Sequence, residues 1–238
     1  MSIETRADAQ DVTESSRFQP VSDPRPNDSV WPDMVWPIPE GTVLTGRFVE
    51  LTPTDPAADA GELFRALDHA RVWAHVPGQP EDAAQFEERL RQLDSLPDWQ
   101  VWTVRTRREI GGNPAGAIIG VTAYLDVHQR DARLEIGFTI YTPSVWGGAI
   151  NPEAKLLLLE HAFETLRAGR VQLKTDVRNH RSQQAISRLG AVYEGTLRRQ
   201  FRREDGTIRD SVLFSIIAEE WPMVRDRLAR RLAGFGAS

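Results

Sequence analysis

From Gly41 onward the chain switches between short stretches of alternating apolar and polar residues and longer stretches with apolar residues at helical spacing. The first stretch predicts a strand over 43–51. Leu63, Phe64 and Leu67 then recur at helical spacing and predict a helix over 57–70, and Phe86, Leu90 and Leu93 predict a second over 81–93. Three consecutive strands follow over 101–106, 117–125 and 133–141. They are turned by Gly111-Gly112-Asn113-Pro114 and by Gln129–Asp131, and turns this short imply antiparallel neighbours. On the third strand, alternation puts Leu134, Ile136, Phe138 and Ile140 on one face and Glu135, Gly137, Thr139 and Tyr141 on the other.

The strongest helix is predicted over 152–166. Leu156, Leu157, Leu158 and Leu159, followed by Ala162, Phe163 and Leu166, make it apolar around much of its circumference, as burial on more than one side requires. A strand over 171–177 and a helix over 181–189 come next, with Gly190 as a left-handed cap. Segments 191–202 and 208–218 form a hairpin around Asp205-Gly206, and a helix over 219–232 with Pro222 in its first turn closes the chain. No internal repeat is present. The order β-α-α-β-β-β-α-β-α-β-β-α describes a mixed α+β fold with about seven strands.

Residues 1–40 read differently. Pro20, Pro24, Pro26, Pro32, Pro37 and Pro39 exclude long helices there, and the first 17 residues show little apolar periodicity. The segment carries eight acidic and three basic residues, so the whole net charge of −5 lies in it and the remainder is neutral, with 26 of each sign. We therefore divide the chain into an acidic, proline-rich extension, 1–40, and a domain over 41–238. Because Trp31, Val35, Trp36 and Ile38 are too apolar for a solvating tail, the extension is expected to lie against the body or a partner subunit, the latter in a homodimer, with residues 1–20 mobile.

Composition narrows the chemistry. Cysteine is absent, which excludes disulfides, thiolate catalysis and cysteine-ligated metal sites. His69, His75, His128, His161 and His180 have no metal-ligand spacing, so no metal is expected. Lys155 and Lys174 are the only lysines, which argues against a Schiff-base mechanism. No P-loop Gly-Lys-Ser/Thr occurs, and the neutral body gives no electrostatic case for nucleic-acid binding. The N-terminus lacks a basic and then apolar leader, and apolar runs fall far below the roughly 20 residues of a membrane span. A cytoplasmic location without membrane attachment is the expectation.

The segment Trp146-Gly147-Gly148-Ala149-Ile150-Asn151-Pro152-Glu153-Ala154 joins a predicted strand to the strongest helix. A helix start has backbone N–H groups without intrahelical partners, and glycines let an anion approach them closely, so a phosphate-bearing ligand suits this turn. An ordinary strand-to-helix turn would use the same glycines. Downstream, Asn179-His180-Arg181-Ser182 opens the next helix, where Asn179 also suits an N-cap.

With those motifs in order, the chain resembles the Gcn5-related N-acetyltransferase (GNAT) superfamily over about 41–222, and looks most like the branch of the ribosomal-protein N-terminal acetyltransferases. The resemblance rests on Leu134-Glu135-Ile136-Gly137-Phe138, on 144–154, on Asp176-Val177-Arg178-Asn179-His180-Arg181-Ser182, on Ile186-Ser187-Arg188-Leu189-Gly190-Ala191 with Glu194-Gly195, and on Arg209-Asp210-Ser211 and Glu220-Trp221-Pro222. It implies a twisted, mostly antiparallel central sheet flanked by helices, and an enzyme using acetyl-CoA as cosubstrate to acylate a primary amine, either a protein N-terminus or a small amine, in a ternary complex. Trp146, Gly147, Gly148, Ala149, Ile150 and Asn151 would hold the pyrophosphate, with Asn179 and Ser182 at the pantetheine arm and thioester.

Glu135 is the candidate general base and Ser182 the candidate source of a proton for the leaving thiolate; an ion-paired strand carboxylate is the competing reading of Glu135. Trp73, His75 and Tyr141 are candidates for acceptor binding, with loop packing as the competing reading of Trp73. Arg198, Arg199, Arg202 and Arg203 make a basic hairpin, read as a solvated strand face, with an acidic acceptor or the CoA 3′-phosphate as the alternative. Ser144 stands where the family usually has Arg or Gln, Pro152 where it has Thr, and 183–189 lacks the family's tyrosine acid. These departures support a second reading, an acyl-CoA-binding sensor or interaction module with degraded catalysis.

Overall fold

The structure, a computed structural model, describes residues 20–22 and 30–236; apart from Pro20, the mobility expected of 1–20 lies outside the described residues. In chain order the elements are β1 (Leu44–Thr45), β2 (Val49–Pro53), α1 (Pro56–Leu67), α2 (Ala70–Trp73), α3 (Ala83–Asp94), β3 (Gln100–Thr106), β4 (Ile118–His128), β5 (Arg133–Tyr141), α4 (Ile150–Glu160), β6 (Arg170–Asp176), α5 (His180–Leu189), β7 (Val192–Arg202), β8 (Ile208–Ile217) and α6 (Trp221–Ala233). The strands form one sheet in the order β1-β2-β3-β4-β5-β6-β8-β7, antiparallel throughout except where β5 meets β6.

Local chemistry sets the helix ends. Asp55 accepts the N–H groups of Ala57 and Ala58 ahead of Pro56 in α1, Asp82 accepts that of Gln85 in α3, and Gly190 ends α5 with φ +106°, a left-handed conformation costly for any residue with a Cβ. The sheet then separates two apolar layers. One packs α4 and α6 against Trp102, Leu134, Ile136 and Val171, and the other packs α1 and α3 against Val101, Val121 and Ile140. The leucine-rich helix is buried as its pattern requires, because it lies between sheet and α6. Its predicted last turn is wider than expected: His161–Thr165 is π-helical.

The strand predicted over 43–51 is in fact two, giving eight strands. The chain folds back at Gly46 and Arg47 because a buried carboxylate from α4 reaches into the turn. Glu153 Oε1 accepts the Arg47 N–H at 2.8 Å, and Oε2 accepts those of Phe48 and Val49 at 2.6 and 2.8 Å. A Cβ at Gly46 would lie 2.5 Å from the Glu153 Cδ, so only glycine fits. Residues 31–38 run extended along the body. Met34 is buried, Val35 N–H donates to Leu166 O at 2.8 Å, and the Trp36 indole donates to Pro97 O at 2.8 Å.

Glu153→Ala orphans three N–H groups, of which those of Phe48 and Val49 are bonded in the buried interior, so it should destabilise the fold by about 3–5 kcal/mol in urea unfolding. His161 is a second buried polar group, its Nδ1 3.2 Å from the Tyr124 hydroxyl, and burial pushes its imidazole down to about 4 from 6.5. The unfolded chain therefore binds a proton that the folded one refuses. Stability contributed by neutral His161 is complete above pH 6.5 and is lost as pH falls from there toward 4. His161→Gln should flatten that part of the stability–pH curve.

Candidate active site

The site is built where the sheet stops pairing. β5 and β6 are joined only at Arg133–Arg170, Leu134–Val171 and Glu135–Gln172. Beyond these pairs β5 stays with β4 as far as Tyr141 and β6 stays with β8 as far as Asp176, so the two parallel strands part into a wedge. A bulge accompanies the parting. Val121 pairs with Ile140 and Ala123 with Gly137, so β5 uses one residue more than β4, and Phe138 adopts φ +47° to absorb it.

The extra residue corrects the face assignment drawn from alternation. Leu134 and Ile136 point to the α4 layer, whereas Phe138 and Ile140 point to the α1–α3 layer, and Tyr141 returns to the α4 layer. Thr139, expected on the face of Glu135, instead meets the Lys155 Nζ of α4 at 2.7 Å.

Because β5 and β6 are parallel, the helices that follow them, α4 and α5, both begin at the C-terminal edge of the wedge. Two positive dipole ends thus flank its mouth, the arrangement in which open α/β units bind ligands. Before α4 the chain makes a tight turn over Pro143–Val145. Gly147 then takes φ +78°, and a Cβ there would meet nothing within 4 Å, so the loop faces open space. Ala149 caps α4 without a side-chain bond. Pro152 contributes no donor, which leaves the N–H groups of Ala149, Ile150 and Asn151 outside the helical ladder. Ser144 does not face a ligand alone; its Oγ accepts from Asn113 Nδ2 at 3.0 Å and ties down the β3–β4 turn.

Trp146 forms one wall. Its indole donates to Tyr141 O at 2.9 Å, the Arg181 guanidinium lies 3.6 Å from the ring centroid, and that of Arg71 lies at 5.4 Å. These residues line a cavity of about 370 Å³ with His75, Arg178, Asn179 and His180, an electropositive space suited to anions. Burial holds the His75 imidazole below its usual range; Asp176 opposes that shift, and Arg181, Arg203 and Arg209 reinforce it. Asn179 Oδ1 accepts the Ser182 N–H at 3.0 Å, so Asn179 is the α5 cap, and Ser182 sits half-buried beside it.

Glu135 lies at the narrow end of the wedge, 3% exposed. Its Oε2 accepts from Gln172 Nε2 at 2.9 Å and pairs with Lys174 Nζ at 2.9 Å. The other two sequence candidates lie in the core. Trp73 is buried edge-to-face on Phe86 with its indole N–H on Leu67 O at 2.8 Å, so it supports α2 from below. Tyr141 is buried with no partner for its hydroxyl among the described residues, and burial pushes its phenol well above the ordinary range. In the hairpin, Arg198, Arg199 and Arg202 are exposed as expected, but Arg203 forms a 2.7 Å pair with buried Asp176 at the end of β6.

Sequence reasoning missed Lys155, Gln172, Lys174, Arg71 and Arg181. One signal was available: Lys155 stands immediately before the four leucines of the strongest helix, in a turn the pattern requires to be buried.

A family model for the acetyltransferase (GNAT) domain matches residues 49–192, and the chain belongs to that family; it is an N-acetyltransferase. It is 25% identical over 183 residues to the "Putative ribosomal N-acetyltransferase YdaF" of Bacillus subtilis (strain 168), covering 75% of this chain and 93% of that one. A crystal structure of a putative acetyltransferase from T. thermophilus is 36% identical, with a TM-score of 0.71 over 83% of this chain and all of that one. Mycobacterium smegmatis RimJ in complex with CoA-disulfide shares the fold at 22% identity, with a TM-score of 0.66 over 79% of this chain and 90% of that one. These relatives agree with the branch that the motifs resemble. No helix among the described residues is long and apolar enough to cross a membrane.

Gly147→Ala tests the loop. The left-handed φ should cost about 1–2 kcal/mol in thermal or urea unfolding, and the added methyl, entering the open face, should weaken binding of CoA measured by calorimetry.

Proposed function

We propose that the protein transfers the acetyl group of acetyl-CoA to a primary amine, with residues 41–238 as the acyltransferase domain and 1–40 as an extension. The observation that carries this reading is the wedge between β5 and β6 with two uncapped or lightly capped helix N-termini at its mouth. In this reading the N–H groups of 147–151 take the diphosphate beside Trp146, and Asn179 and Ser182 flank the pantetheine arm.

The donor's acyl end points toward Glu135. The amine nitrogen attacks the thioester carbonyl, the C–N bond forms and the C–S bond breaks, and sulfur leaves with the electron pair. The ammonium proton passes to Glu135, directly or through water, while Lys174 and Gln172 hold the carboxylate in place. His75 lines the electropositive cavity beside Trp146, on the side where this reading puts the diphosphate, and Trp73 acts only by supporting α2. A protein N-terminus is the favoured acceptor, since the B. subtilis relative is described as a ribosomal N-acetyltransferase. The reaction needs no membrane and is assigned to the cytoplasm.

The test is release of free thiol from acetyl-CoA in the presence of N-terminal peptides, aminoglycosides and polyamines. Turnover with one acceptor class is expected, and Glu135→Ala should lower kcat about 10²–10⁴-fold. An Ala variant with unchanged turnover would remove Glu135 from the chemistry. Tight CoA binding with no thiol release from any acceptor would instead favour an acyl-CoA sensor.

A further inference from the structure

Lys155 is a buried amine to which the proposed reaction gives no task. It is 5% exposed, and its ammonium donates to Thr139 Oγ1 at 2.7 Å and lies 3.4 Å from Thr122 Oγ1. Among the described residues no carboxylate lies within ion-pair distance of it; the nearest charged influence, Glu135, is already paired with Lys174. When protonated, Lys155 therefore has only hydroxyl oxygens for partners, an uncompensated positive charge in a dry place. Such a charge costs several kcal/mol unless something compensates it.

Its location says what that could be. β5, α4 and β6 form a strand–helix–strand unit, so α4 runs back from the mouth alongside the wedge. Lys155 is six residues past the Ala149 cap, about 9 Å inward at 1.5 Å per residue. There it meets Thr139 at the β5 bulge, where Thr122 and Thr139 hydroxyls both lie 3.3 Å from Gly137 O. In the acyl-CoA reading, a donor held by its diphosphate at the α4 N-terminus and extended into the wedge would bring its thioester along β5 toward this bulge.

From this geometry we infer that Lys155 is a catalytic cation that stabilises the negative charge left on sulfur as the C–S bond breaks. The inference rests on the acyl-CoA reading. The ammonium supplies charge without giving up its proton; the electron pair goes to sulfur, the thiolate stays paired with Lys155 until a solvent proton reaches it, and CoA leaves as the thiol, which balances the proton that the amine gives up. Burial, opposed by Glu135, pushes the Lys155 amine down to about 7, so a bound anion should draw the proton back onto it.

The chain has two lysines, so lysine side-chain carbon NMR gives two signals, assigned with Lys155→Met or, where that variant is unstable, with Lys174→Arg. On saturation with CoA the Lys155 titration should move to higher pH, and with desulfo-CoA, which lacks the thiol, it should stay near its free value. The bound CoA thiol, followed by ultraviolet thiolate absorbance, should ionise at lower pH than free CoA and return to the free value in Lys155→Met. With acetyl-CoA and the best peptide acceptor, Lys155→Met should keep its CoA affinity and lose kcat about 10²–10³-fold, the size of losing one preorganised charge donor.

Equal Lys155 shifts with CoA and desulfo-CoA, or wild-type kcat in Lys155→Met, would overturn the inference while leaving the acetyltransferase reading intact. Failure of the wild-type chain to bind CoA would bring down both. The two-ligand NMR comparison needs only the wild-type fold, so it decides the matter even if Lys155→Met is unstable.

Discussion

β5 and β6 pair for three residues and then part, and the functional architecture follows from that parting. A strand that leaves its neighbour exposes N–H and C=O groups that must find other partners, and inside a protein this is costly. Here the cost is limited because each strand keeps its outer neighbour, β4 for β5 and β8 for β6. Beyond Glu135 and Gln172 the inner edges of the two strands are left without each other as partners. Parallel direction adds the second element. It sends both following helices back from the same edge, so their N-terminal donors collect at the mouth instead of at opposite ends.

Two buried charges on the first turns of α4 divide the work of holding this shape. Glu153 accepts three backbone N–H groups and binds the helix to the β1–β2 turn, so its charge is used up inside the fold. Lys155, two residues on, lies against the bulge with only hydroxyl oxygens as partners among the described residues. A carboxylate among backbone donors is a structural clamp. An ammonium among hydroxyls is under-compensated, and fields of that kind are how protein sites meet charge that develops during a reaction.

Much of this was legible along the chain. Helix and strand identities follow from apolar spacing, and Gly190, Asp205-Gly206 and the Asn179 cap mark boundaries by local chemistry that needs no tertiary context. The glycine turn at 146–149 and the segments at 134–138 and 179–182 carried the resemblance to the family that the family model matches. What failed was inference across one bulge and one turn. A strict period of two cannot register the extra residue at Phe138, so Thr139 and Tyr141 were put on the wrong face. Nor can it register that Glu153, more than a hundred residues away, folds 43–51 into two strands. Trp73 lies near the acceptor side in sequence, yet its ring is drawn inward by Phe86 and by Leu67 O.

Residues close together in the chain suffice for the elements, the family and the helix start with free N–H groups after the glycine turn, because each of these rests on local spacing and local chemistry. Which side chains share a cavity was settled only by the packed fold: Arg71 and Arg181 about Trp146, Lys174 on Glu135, Lys155 beneath the bulge. Those pairings join residues from different elements. Their energies depend on burial and on the charges around them, and neither exists until the sheet has closed on its helices.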